Sequence, residues 1–222
     1  MATFVVVHAA GDGAWSWQLV ESELRERGHD MVAPDLPAND ESAGLWDYAE
    51  TVVDAIADRT NLVVVAHSFG GFTGPLVCER VPVDALVLVA AMLPSPGEAP
   101  HDWWDNTGLR QARQEAGVAD ADDIATYYHD VPPELTAEAQ RRVRQHPSER
   151  AAMEPWPLPA WPDVRTHYLL CREDRFLPAD WTRRMVADRL GITADELDGG
   201  HCPMLSRPAD LARRLEAYAR PG

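Results

Sequence analysis

Short unbroken apolar runs recur along this chain, and between them lie segments whose apolar positions return every three or four residues. Thr3–His8 (TFVVVH) is apolar almost throughout, which suits a strand covered on both faces in a parallel sheet. Trp17–Arg27 follows with Leu19, Val20 and Leu24 on one side of a predicted helix, and Gly28 sits where a left-handed terminator belongs. A short strand is predicted at Asp30–Ala33, stopped by Pro34, and a helix at Leu45–Arg59, where Tyr48, Val52, Val53 and Ile56 share a face. Next come a strand at Leu62–Ala66, a helix at Gly70–Arg80 and a strand at Asp84–Ala90. From about residue 94 to 162 the rhythm breaks into Pro-, Trp- and charge-rich sequence with amphipathic pieces such as LRQARQEAG. It resumes as a strand at Arg165–Cys171, a helix at Pro178–Leu190, a strand at Thr193–Leu197 and a helix at Ala209–Ala219. Such alternation predicts one α/β domain over residues 1–222. Its parallel sheet of about six strands has helices on both sides, with residues 94–162 inserted as a helical lid.

Composition narrows the function more than the fold. At 222 residues the chain is long enough for one substantial core, and 45% apolar with 25% charged residues is ordinary for a globular protein. No apolar run approaches the length of a membrane span, and the first strand begins without a basic leader. Cys78, Cys171 and Cys202 are odd in number and widely spaced, which suits a reducing, cytoplasmic setting. The formal net charge is −16, a field that repels nucleic acid and anionic membranes. All 20 basic residues are arginine. With no lysine, the chain has no Schiff-base lysine, no phosphate-loop lysine and no lysine base. A small-molecule substrate is the expected partner, and a homodimer is left open.

In an open parallel sheet the loops at the carboxyl ends of the strands converge. Here they read HAAGDGAW after the first strand, HSFGG after the third, REDRF after the fifth and DGGHCPM after the last. Serine attacks a carbonyl only when a base takes its proton and an acid fixes that base in one tautomer. Ser68, Asp174 and His201 offer those roles in that order, with Glu173 beside Asp174 as a competing acid. A strand-to-helix turn sharp enough to present a serine needs small residues two before and two after it, and Ala66 and Gly70 are small. The turn also points the amide of Phe69 at the position of a substrate oxyanion.

The segments FVVVHAAGDGAWSW (4–17), AHSFGG (66–71), LLCREDRFLP (169–178) and GGHCPMLSRP (199–208) make the chain resemble the α/β-hydrolases. More narrowly, it resembles the small plant methylesterase and hydroxynitrile-lyase group and its bacterial esterase relatives. The resemblance implies Ser68 as nucleophile, Asp174 as acid, His201 as base and the amide of Ala10 as the second oxyanion donor. No cofactor is implied. Two positions depart from the group's pattern: Ala66 stands where the elbow usually has glycine, and Ala9 stands where HGA or HGG is usual. Lyases of the group carry threonine at the position of Ala9 and lysine directly after the histidine, where this chain has Cys202, so cleavage of a small carboxylic ester is expected. Alternatives are a cofactor-free lyase and a non-catalytic ligand receptor on the same fold. His8 and His67 lack a carboxylate at ligand spacing, so no metal is expected. Cys202 reads as a small buried side chain, and Asp35 as a turn residue. The aromatics Trp103, Trp104, Tyr127, Tyr128 and Trp156 either line a substrate pocket or fasten the lid, and the basic stretch at residues 140–146 reads as a solvated helix face.

Overall fold

The apolar runs become strands because each can bury both of its faces. In the computed structural model, which describes residues 1–119, 121–143 and 147–220, β1 (Thr3–Val7) is fully buried and leads through a 3₁₀ turn at Ala14–Trp17 into α1 (Gln18–Glu26). Then follow β2 (Asp30–Val32), α2 (Leu45–Ile56), β3 (Leu62–His67), α3 (Gly70–Arg80) and β4 (Ala85–Val89). Five short helices stand between β4 and the next strand: α4 (Pro100–Asn106), α5 (Leu109–Glu115), α6 (Asp123–Tyr127), α7 (Pro133–Arg142) and α8 (Glu149–Met153). The chain closes with β5 (Thr166–Cys171), α9 (Ala179–Leu190), β6 (Asp195–Leu197), α10 (Pro203–Ser206) and α11 (Pro208–Tyr218).

All pairings are parallel, in the order β2-β1-β3-β4-β5-β6. Alternate residues divide two cores. Val5, Val7, Val64, Ala66, Leu86 and Leu88 face α2, α3 and α9. Phe4, Val6, Val63, Val65, Val87 and Val89 face α1 and α11. The expected α/β-hydrolase architecture is therefore present, with six strands.

Element ends differ from the sequence reading where local backbone intervenes. The helix expected to run to Arg59 stops at Ile56, because Ala57 takes a positive φ of 53°. The helix expected from Trp17 begins at Gln18, after the 3₁₀ turn. β6 is shorter than expected by two residues. Of the basic stretch at 140–146, residues 144–146 lie outside the described residues. Both edge strands are three residues long, and both carry charge: Asp30 on β2 pairs with Arg59 at 3.0 Å, and Glu196 on β6 pairs with Arg172 and Arg183 at 2.7 and 2.8 Å.

Candidate active site

Ser68 occupies the turn between β3 and α3 with a φ of +52°, a left-handed conformation that costs a non-glycine residue energy. The turn is held from both sides: Ser68 donates its amide to Val89 O at 3.3 Å, and its carbonyl accepts Met92 N–H at 2.9 Å. The two glycines that follow are needed for close approach. A Cβ on Gly70 would lie 2.4 Å from Val7 O, and one on Gly71 would lie 1.9 Å from Met92 O. The first turn of α3 is thus wedged against the main chain at the ends of β1 and β4. At Ala66 the extra methyl fits because Gly74, one helical turn into α3, has no side chain; a Cβ there would sit 2.7 Å from the Cβ of Ala66.

His201 arrives from the loop after β6. Its Nε2 lies 3.0 Å from Ser68 Oγ and its Nδ1 lies 2.8 Å from Asp174 Oδ2. Nδ1–H donating to the carboxylate leaves Nε2 to accept the serine hydroxyl. Asp174 Oδ1 accepts the amides of Phe176 and Leu177 at 2.7 and 2.9 Å, which fixes the carboxylate in one orientation. All three side chains are buried. Glu173, the competing acid, is exposed, and its hydrogen bonds here run through its backbone: its carbonyl accepts from His129 and its amide donates to Gly199 O at 3.0 Å.

Supporting contacts come from residues outside the triad, of which Phe176 and Asp130 had no signal in the sequence. Phe176 stands edge-on to the His201 ring at 4.9 Å, and Tyr127 lies 5.5 Å from it. His67 donates Nε2–H to the carbonyl of His201 at 2.9 Å. Burial, and after it the neighbouring His201, hold His67 well below the ordinary histidine range, so it stays neutral. Asp130 accepts the amide of Gly200 at 2.8 Å and so holds the residue before the histidine. His8 donates Nδ1–H to the carbonyl of Ala9 at 2.8 Å and accepts Leu36 N–H at 3.0 Å, joining the loops after β1 and β2. Asp35 accepts Ala14 N–H at 2.8 Å in the same junction.

A cavity of about 540 Å³ opens onto Ser68, large enough for a small organic ester. Ala10 and Phe69 line it, and no hydrogen bond among the described residues occupies either amide. Trp104, Tyr127 and Tyr128 also line it. Burial pushes the Tyr127 phenol up to about 12 and raises that of Tyr128 further, so both stay protonated. Trp103 and Trp156 are not part of the lining, which corrects the sequence expectation. Their indole N–H groups are committed to the carbonyls of Leu93 and Phe72, at 2.8 and 2.9 Å, and their buried rings pack on Trp181 and Trp161. They fasten α4 and the chain after α8 to the body of the protein. Cys202 lines the cavity too, but burial holds its thiol well above the ordinary range and removes it as a thiolate nucleophile. Among the described residues no group of three or more His, Cys, Asp or Glu side chains is arranged to hold a metal, and no helix is long and apolar enough to cross a membrane.

Comparison with known proteins gives matches along almost the whole chain. The sequence profile described as "Alpha/beta hydrolase family" matches residues 4–214. Methylesterase 7 of Arabidopsis thaliana is 29% identical over 244 residues, covering 96% of this chain and 94% of the relative. Methyl jasmonate esterase 1 of Vitis vinifera is 28% identical, covering 96% and 95%. The crystal structure of polyneuridine aldehyde esterase superposes with a TM-score of 0.82 at 21% identity, covering 99% of this chain and all of that one, a likeness of fold.

Proposed function

The chain belongs to the Alpha/beta hydrolase family, and from that premise we propose that it cleaves a small carboxylic ester through an acyl-enzyme on Ser68. The observation that carries this reading is the unbroken row Ser68 Oγ, His201 Nε2, His201 Nδ1, Asp174 Oδ2, with links of 3.0 and 2.8 Å. His201 takes the hydroxyl proton as Ser68 Oγ bonds to the ester carbonyl carbon. Negative charge gathers on the carbonyl oxygen, and the amides of Ala10 and Phe69 are the donors placed to receive it. His201 returns the proton to the departing alkoxide, which leaves as alcohol. A water molecule then repeats the sequence on the acyl-serine and releases the acid. Asp174, held by two backbone amides, keeps Nδ1–H pointed at itself and so keeps Nε2 basic.

Two further observations favour hydrolysis over the lyase chemistry known in the group. The residue after the base is Cys202, and no lysine exists anywhere in the chain to receive a departing anion. The named methylesterases among the relatives point the same way for substrate class, toward simple esters of carboxylic acids. The helices between β4 and β5 serve as the cover of the site, residues 94–162, on a single domain. A cytoplasmic setting is supported by three free thiols.

Release of p-nitrophenol from its acetate and butyrate esters tests the reading. Turnover by the wild type should fall by roughly 10³-fold or more in Ser68→Ala. A fluorophosphonate should label Ser68 and no other serine, as located by mass spectrometry. Turnover that survives the substitution would refute acylation at this residue.

A further inference from the structure

The loop after β1 supplies more than an amide. Asp12, two residues past Ala10, places a carboxylate on the wall of the cavity that opens onto Ser68. Its Oδ2 accepts Ser16 Oγ–H at 2.7 Å, and the amide of Gly13 is its backbone donor. Asp12 is half-buried, and these two donors leave lone pairs of its carboxylate free to face the cavity. Among the described residues, the charged or titratable groups that face it are His8 at the end of β1, Asp35 from the loop after β2, Tyr128 after α6 and Cys202 before α10. No strong cation stands among them. Among the described residues no arginine lines the cavity, while Asp123 adds a second carboxylate to its wall. Arg142 lies 5.5 Å from the Trp15 ring, but it is exposed and paired with Glu138. Burial pushes the Asp12 carboxyl upward, and His8 and Ser16 oppose that push only in part.

Trp15 and Tyr128 line the same cavity as Asp12, and Tyr128 is close enough to feel its charge. A carboxylate with no arginine partner among the described residues, in a cavity lined by aromatic rings, is the chemistry that receives an alkylammonium group: the ring faces attract the cation and the carboxylate supplies the counter-charge. We propose that Asp12, with Trp15 and Tyr128, forms a cation subsite, so that the preferred ester carries a quaternary or protonated amine away from its scissile carbonyl. The inference rests on the hydrolase reading above and sharpens it to a substrate class. The competing role for Asp12 is local, as the acceptor that stiffens the 3₁₀ turn at Ala14–Trp17 through Ser16.

The test compares acetylcholine with its uncharged isostere, 3,3-dimethylbutyl acetate, in the wild type and in Asp12→Asn. Asparagine keeps an oxygen to accept the Ser16 hydroxyl and removes only the charge. The ratio of kcat/KM values, charged over neutral, should fall roughly tenfold in the variant, mostly through KM for the cation. If both esters lose activity together and the ratio stands, Asp12 is only a turn residue and the proposal is overturned. Calorimetry on Ser68→Ala, with and without Asp12→Asn, measures binding of choline against 3,3-dimethylbutan-1-ol and needs no turnover. A preference for choline that requires Asp12, in a protein whose wild type cleaves neither ester, would sustain the subsite and sink the hydrolase reading. Cleavage of both esters with no preference for choline would do the reverse.

Discussion

At Ala66 the elbow has an alanine where a glycine is usual, and the missing space is supplied by Gly74 across the β3–α3 interface. The two positions are therefore coupled, and each can be changed only with regard to the other. An alanine at Gly74 would gain helix propensity of about 1 kcal/mol, yet it would put two methyl carbons 2.7 Å apart in a fully buried place. The overpacking is expected to win, with Gly74→Ala costing about 1–3 kcal/mol net. Ala66→Gly in the same chain should restore most of that loss. Urea midpoints of the two single variants and the double variant measure the coupling; a stabilised Gly74→Ala would show that α3 can move away. Ser68, Asp174 and His201 were legible in sequence because reactive residue types stand directly after predicted strands. Gly74 was not, because its role depends on a distance across two elements. Phe176 was hidden for a similar reason: an aromatic two residues past Asp174 could serve many ends until its ring is seen edge-on to His201. Among the aromatics, composition could not separate Trp104, which faces the cavity, from Trp103 beside it, whose N–H is tied to Leu93.

The segment between β4 and β5 is anchored near its root by Glu98, a buried carboxylate. One oxygen accepts Arg189 and Asn106, each at 2.9 Å; the other accepts the amide of Ser95 and a second Arg189 nitrogen. Burial pushes the Glu98 carboxyl upward, but these donors outweigh it and leave the group below its ordinary range. A carboxyl lowered in the folded state contributes stability above its unfolded pKa of about 4.3 and loses it as pH falls through the folded value. Glu98→Gln should therefore cost about 1–3 kcal/mol at pH 7, chiefly by leaving Arg189 without its counter-charge. The gap between variant and wild type should narrow as pH drops below about 4. Thermal melts across that pH range decide it, and a gap that widens in acid contradicts the assignment. The helices α2 and α11 were legible at the level of elements because each carries an apolar face at helical spacing, whereas α3, buried all round over Gly70–Val77, was legible from its place between two strands. The helices α4 to α8 span five to ten residues, too few turns for the pattern to mark their ends. They are fixed by anchors such as Glu98 and Trp156 that lie far apart in sequence.

Over the whole molecule the formal charge of −16 acts on any ion that approaches the site. An anionic ester such as monomethyl adipate should show a lower kcat/KM than methyl hexanoate. Raising ionic strength from about 10 mM to about 500 mM shortens the screening length severalfold and should shrink that difference. A difference that ignores salt would assign the discrimination to contact inside the cavity and remove the long-range field as its cause. At this scale the sequence conveyed the sheet and its strand count through the spacing of apolar runs, but not the lengths of the outer strands. Those lengths matter beyond the site. β2 and β6 are short, and their Asp30 and Glu196 are already engaged by arginines. An incoming strand from another molecule would have to displace those ion pairs to gain only a few main-chain bonds, so the sheet resists growing by addition at either border. Short, ion-paired borders of this kind disfavour fibril growth along the sheet when copies are crowded together.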